Sequence, residues 1–210
     1  PATHRAKKKL VAFLAGRYKD IQKFNSAWKM QFPDFTAVLK STDTPAVINP
    51  RIAADARDWT KLIAEEYFRI TTAAIRKYDP NHLILGCRFA GRAPAGLWRI
   101  AGKYCDLVSV NCYRTVDLFS RQIADGFDQE IAGWYTQAQK PFIITEWSFP
   151  AYDSGLPCIH GAGQRVETQT DRAQAFTIFQ KNLFSTPYIV GSFFFMWVDE
   201  PALGIAASFP

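Results

Sequence analysis

Apolar residues recur at helical spacing from the start of the chain. Leu10, Phe13, Leu14, Tyr18, Ile21, Phe24 and Trp28 mark a helical stretch from Ala6 to Trp28, which Gly16 is expected to divide in two. Pro33, Pro45 and Pro50 then interrupt the pattern, so 32–50 reads as irregular. A long helix is predicted from Ala54 to Tyr78. Its expected buried stripe is Trp59, Leu62, Ile63, Ile70 and Ile75, and Asp79-Pro80-Asn81 ends it.

Beyond that point short apolar runs alternate with helical patterns. Strands are predicted over His82 to Phe89, Asp106 to Tyr113, Phe142 to Thr145 and Ile189 to Trp197. The intervening helices are expected at Leu97 to Lys103, Val116 to Ala138 and Thr170 to Phe184, with a long loop from Ser148 to Thr168. Strands alternating with helices imply a parallel sheet, in which every strand ends on the same face. That face collects Arg88, Asn111, Tyr113, Glu146, Trp147, Trp197, Asp199 and Glu200. Polar and aromatic residues gathered there are the material of a (β/α)8 TIM-barrel active site. A closed barrel needs eight strands and roughly 250 residues. The expectation is therefore an α/β chain in which residues 1–210 form one domain, the C-terminal half of such a barrel. The missing strands are expected before Pro1, or in a second chain. The absence of a starting Met or signal peptide points the same way, to a processed product or fragment.

Glu146 stands out within this frame. It follows the buried run Phe142 to Thr145, and a carboxylate at such a place is costly unless something pairs or uses it. An ordinary strand-end ion pair is the bland reading, and its company on the strand-end face favours function. Tyr113 is placed to hold Glu146 ionised, and Arg88 to act on it by charge. Arg88, Asn111, Trp147 and Trp197 are candidate substrate contacts, with Trp197 as the floor for a sugar ring and packing at the barrel mouth as the alternative for Tyr113 and Trp197. Asp199 and Glu200 read as ligands of sugar hydroxyls, as turn cappers or as a substitute acid. His160, in the long loop, either touches substrate or is a solvated loop histidine. Glu65 and Glu66 are expected to face solvent.

Composition narrows the field. At 48% hydrophobic and 15% aromatic residues the chain can bury a core, which excludes disorder. The net charge of +6 is spread out, and the basic run Arg5 to Lys9 reads as a solvated helix start, since no nucleic-acid motif accompanies it. No apolar run approaches the roughly 20 residues of a membrane span. Cys87, Cys105, Cys112 and Cys158 lack metal-ligand spacing; three of them lie in or beside apolar strand patterns and read as buried free thiols, with a disulfide left open. No cofactor or metal is called for.

Several stretches carry a family resemblance. Asp79-Pro80-Asn81-His82-Leu83-Ile84-Leu85-Gly86 with Arg88-Phe89 resembles the fifth-strand region of clan A retaining glycoside hydrolases, closest to agarase-like and family 42 β-galactosidase-like enzymes. Val110-Asn111-Cys112-Tyr113 resembles their sixth strand, and Ile144-Thr145-Glu146-Trp147-Ser148-Phe149 their seventh, where the family carries its nucleophile. Phe194-Phe195-Met196-Trp197, with Asp199-Glu200-Pro201-Ala202 and Gly204, resembles the eighth strand and its loop. Phe24-Asn25-Ser26-Ala27-Trp28 is similar to a segment downstream of the fourth strand.

The resemblance implies Glu146 as nucleophile and a galactose-containing carbohydrate as substrate, with an extracellular or periplasmic setting suggested by that substrate class. It also implies an acid/base Glu after an Asn at the end of the fourth strand. No Asn-Glu pair occurs in the sequence, so this residue is expected upstream of Pro1. The competing expectation is a non-catalytic carbohydrate-binding or scaffold half-barrel. A metal-dependent barrel hydrolase ranks below both, because no His cluster with ligand spacing sits at the strand ends.

Overall fold

The computed structural model describes residues 1–124, 126–156, 158 and 162–197. The chain divides into two compact units, Pro1–Ala64 and Glu65–Pro210.

The first unit is helical. Helices α1 (Arg5–Tyr18), α2 (Ile21–Trp28) and α3 (Phe35–Lys40) precede α4 (Pro50–Tyr78), which begins in this unit and ends in the next. The break after α1 falls at Lys19-Asp20 and not at Gly16. Asp20 adopts an extended backbone and its carboxylate accepts from the Gln22 N–H, capping α2, while Gly16 stays inside α1. Asp34 caps α3 in the same manner, so part of the stretch expected to be irregular is a short helix. Leu14, Tyr18 and Phe24 form the buried centre, with Phe13, Trp28, Phe32 and Phe35 packed around it.

Asp55 ties these helices together. It is 1% exposed and accepts hydrogen bonds from Tyr18 Oη, Arg17 Nη1 at 2.5 Å and Trp28 Nε1 at 2.9 Å. Burial pushes its pKa up, but the bonds from Tyr18, Trp28 and Arg17 outweigh that and hold the carboxyl below its ordinary value. The expected stripe on α4 is corrected. Leu62, Ile63, Ile70 and Ile75 are exposed, and the buried positions are Ile52, Asp55, Ala64, Phe68 and Thr72. Those positions do not form one continuous stripe, so a single periodicity could not find them.

The second unit is mixed α/β. After helix α5 (Leu97–Tyr104) come strand β1 (Val108–Asn111), the small strands β2 (Val116–Asp117) and β3 (Gln122–Ile123), helix α6 (Phe127–Ala138) and strand β4 (Phe142–Trp147). Helix α7 (Gln169–Ser185) and strand β5 (Ile189–Phe194) follow. A three-stranded parallel sheet runs β1-β4-β5, with β4 central, while β2 and β3 pair antiparallel.

Two sequence expectations change here. The strand predicted over His82 to Phe89 shrinks to one parallel bridge, Phe89 with Val110. Gly86 has φ of 71°, a left-handed conformation that interrupts an extended run. The segment is instead fastened at Ile84, whose N–H donates to the Asp106 carboxylate at 2.7 Å. The helix predicted from Val116 shortens to Phe127–Ala138. The Asp117 carboxylate accepts from the Phe119 and Ser120 N–H groups and turns the chain into the β2–β3 hairpin.

The central strand is buried as its composition requires, with Phe142 and Ile144 both fully inaccessible. Each such side chain is worth about 2 kcal/mol of burial. Phe142 packs against Trp98 of α5 and Trp134 of α6, and Trp147 against Phe176 and Phe179 of α7. Thr168 and Asp171 form a reciprocal capping box at the start of α7. Glu65 faces solvent only in part: its carboxylate accepts from Tyr104 Oη and Lys103 Nζ, whereas Glu66 is exposed beside Arg69.

Candidate active site

Glu146 lies within β4, one residue before its end, where the sequence placed it just beyond the strand. Its side chain is 16% exposed. Val108, Ser109 and Val110 of β1 pair in step with Phe142, Ile143 and Ile144, and the register then slips, so that Asn111 pairs with Glu146 and not with Thr145. This bulge re-aims two polar side chains at one another. Asn111 Nδ2 donates to Glu146 Oε2 at 2.8 Å. Thr145 Oγ1 donates to the Asn111 amide oxygen at 3.3 Å, which fixes which end of that amide faces Glu146.

The other carboxylate oxygen is held from further along the chain. Tyr113 Oη donates to Glu146 Oε1 at 2.6 Å. Burial first, and the bond to Glu146 second, push the Tyr113 phenol well above its ordinary pKa. Arg88 completes the set, with Nη2 at 3.3 Å from Glu146 Oε2 and its own side chain 54% exposed. Arg88 arrives there because Phe89 bridges to β1, its N–H donating to Ser109 O and its carbonyl accepting from the Asn111 N–H at 2.7 Å. The described partners of Glu146 are all donors, the environment of an ionised, acceptor-only carboxylate.

The structure therefore brings Arg88, Asn111, Tyr113 and Glu146 together at one end of the sheet. It treats the tryptophans differently. Trp147 is 1% exposed and its ring lies 4.6 Å from Phe179 and 5.1 Å from Phe176, so it packs the core and offers no face to a sugar. Adjacent strand residues point to opposite faces, and with Glu146 turned to the site Trp147 must turn to the helices. Its indole N–H has no hydrogen-bond partner among the described residues. Trp197, in contrast, is 95% exposed. Asp199, Glu200 and His160 lie outside the described residues.

Sequence reasoning missed Thr145, whose hydroxyl gives no pattern of its own. It also missed two residues of the loop after β4: Gly163, which lies against the Tyr113 ring, and Gln164, which bonds to the Val116 backbone. All four cysteines are free thiols, and burial pushes Cys105 up to about 11. No group of three or more His, Cys, Asp or Glu that could hold a metal ion occurs among the described residues. No described helix is long and apolar enough to cross a membrane.

Comparison with known proteins adds a family context. The model of glycoside hydrolase family 42, described as beta-galactosidase, matches residues 2–151. Beta-agarase B from Vibrio sp. (strain JT0107) is 30% identical over 205 residues, which cover 96% of this chain and 20% of that protein. A solved exo-beta-agarase superposes with a TM-score of 0.80 at 27% identity, over 97% of this chain and 26% of that one. Another solved structure, of the agarase AgWH50C, gives a TM-score of 0.78 at 28% identity, covering 98% of this chain and 28% of that one. The chain thus spans about 20% of the length of the curated relatives it matches.

Proposed function

The chain belongs to glycoside hydrolase family 42, the beta-galactosidase family, and from that membership we propose that it supplies the C-terminal half of a retaining glycosidase barrel. The substrate class is a galactose-containing polysaccharide or oligosaccharide, since the similar proteins include beta-agarases. In this reading residues 1–210 serve as one half of a (β/α)8 barrel. The acid/base carboxyl comes from the remainder of a longer protein.

The observation that carries the reading is the convergence of Tyr113, Asn111 and Arg88 on Glu146. A retaining mechanism needs an ionised carboxylate held in one orientation, about 5–5.5 Å from a second carboxyl group. Glu146 attacks the anomeric carbon while the acid/base residue protonates the departing glycosidic oxygen. The glycosyl ester on Glu146 is then hydrolysed by a water that the same acid/base residue deprotonates. Tyr113 and Asn111 each hold one oxygen of the nucleophile, which removes the orientational freedom it would have in water. Trp197 offers an exposed aromatic face for stacking, and Arg88, half-exposed, reaches toward sugar hydroxyls. Asp199 and Glu200 are assigned to hydroxyl binding on the family resemblance.

The test uses the full-length protein on agaro-oligosaccharides and β-galactosides. Glu146→Gln is expected to lower turnover by about a thousandfold or more while sugar binding persists. Unchanged turnover in that variant would overturn the assignment. Binding without turnover in the unaltered full-length protein would replace it with the carbohydrate-binding reading.

A further inference from the structure

Tyr113 sits in the turn between β1 and β2, where nothing in the sheet ladder itself fixes its ring. A segment of the loop after β4 does so. This loop closes on itself through a parallel bridge between Ala151 and Val166, with Tyr152 N–H donating to Val166 O and Val166 N–H donating to Pro150 O at 2.9 Å. The closure carries Gly163 and Gln164 back over β1 and β2.

Gly163 stands directly against Tyr113. A Cβ at this position would lie 2.7 Å from the Ser148 carbonyl oxygen and 3.2 Å from Cδ1 of the Tyr113 ring, and φ is 102°. Only glycine fits both the backbone conformation and the space. The next residue fastens the loop to β2. Gln164 Oε1 accepts from the Val116 N–H at 2.6 Å, and Gln164 Nε2 donates to the Val116 carbonyl at 3.0 Å. This two-point clasp acts like an extra strand along β2, three residues after Tyr113. Two consecutive loop residues thus bracket the tyrosine, one packed against its ring and the other fastened to the backbone three residues further on.

We propose that Gly163 and Gln164 are positioning residues that brace Tyr113 so that its hydroxyl stays on Glu146. The inference rests on the hydrolytic role of Glu146 proposed above. It places substrate turnover under the control of a loop whose described residues make no hydrogen bond to the carboxylate.

The test is a double-mutant cycle in the full-length enzyme, with kcat, KM and thermal midpoint read for each variant. Gln164→Ala is expected to lower kcat about tenfold with KM changed by less than about twofold, because a misplaced donor costs rate without removing a substrate contact. In a Tyr113→Phe background the same substitution is expected to cost less than about twofold, since the hydroxyl it positions is gone. Gln164→Glu keeps the acceptor for the Val116 N–H but cannot donate to the Val116 carbonyl. An intermediate loss of kcat is expected there, in a variant that retains the side-chain volume if the alanine variant fails to fold. A full tenfold loss persisting in the Tyr113→Phe background, or an unchanged kcat in both Gln164 variants, would overturn the brace. Full activity in Glu146→Gln would overturn the functional reading and the brace together, whereas an inactive Glu146→Gln beside an unaffected Gln164→Ala sinks the brace alone.

Discussion

Asn111 stands opposite Glu146 because the pairing of β1 with β4 slips by one residue after Val110. In an unbroken parallel register Thr145 would occupy that position. The slip instead sets the Asn111 amide 2.8 Å from the carboxylate, and Thr145 becomes the residue that orients the amide from below.

Asn111→Ala is accordingly expected to lower kcat/KM of the full-length enzyme by about a hundredfold, the usual cost of removing one preorganised donor at a reacting centre. Asn111 is the half-buried last residue of β1, outside the apolar core, so the thermal midpoint should move little. A comparable fall in stability would assign Asn111 to the sheet and not to the reaction.

Tyr113 supplies the other donor, and its raised pKa has a definite sign. Burial and the bond to Glu146 keep the proton on the phenol. Any stability gained from this pair is complete below the unfolded tyrosine value of about 10, and is lost as pH rises through the higher folded value. Burial raises Tyr18 and Tyr188 as well, so ultraviolet titration should show a late-ionising group of tyrosines, from which Tyr113→Phe should remove one. A full complement of normally titrating tyrosines in the unaltered protein would contradict the pairing.

The two candidate tryptophans should separate cleanly. Trp147→Ala leaves a cavity among Phe149, Phe176, Phe179 and Phe194 and should destabilise the protein by about 3–5 kcal/mol in a denaturant titration. Trp197→Ala removes a side chain that is already 95% exposed, and should raise KM with no change in stability. An unaltered KM would exclude Trp197 from substrate binding.

Asp55, together with its neighbour Asp58, contributes to the acid behaviour of the helical unit. Its folded-state pKa is depressed, so the stabilisation is present above the unfolded carboxylate value of about 3.9 and disappears as pH falls through the lower folded value. Asp55→Ala strands Arg17 and the hydroxyl of Tyr18, and should cost about 3 kcal/mol at neutral pH. In that variant the acid-dependent part of the unfolding free energy should be smaller, as followed by circular dichroism against denaturant at several pH values.

The alternation of strand and helix, and the end of the sheet at which polar residues gather, were legible because apolar runs and turn residues are local signals. Glu146 and Tyr113 could be paired on paper, since adjacent parallel strands end together. The bulge could not be seen, because a one-residue slip leaves no mark in composition. Gly86 hid a broken strand inside a run of apolar residues, and the Asp117 turn hid a hairpin inside a helical pattern. Trp147 was misplaced for a simpler reason: an aromatic beside a carboxylate looks like a platform until strand sidedness turns it inward. The clasp of Gln164 on Val116 joins residues 48 apart, a separation that no local pattern spans.

Glu146 and Trp147 are consecutive, one turned to the site and the other bolted into the aromatic layer between β4 and α7. The peptide bond between them links the proposed nucleophile to the packing that holds the sheet. Heat inactivation of the full-length enzyme should therefore follow the same time course as loss of the buried tryptophan environment, with no interval in which a loosened core still turns over substrate. Residual activity would then serve as a clock for opening of the layer beneath the carboxylate.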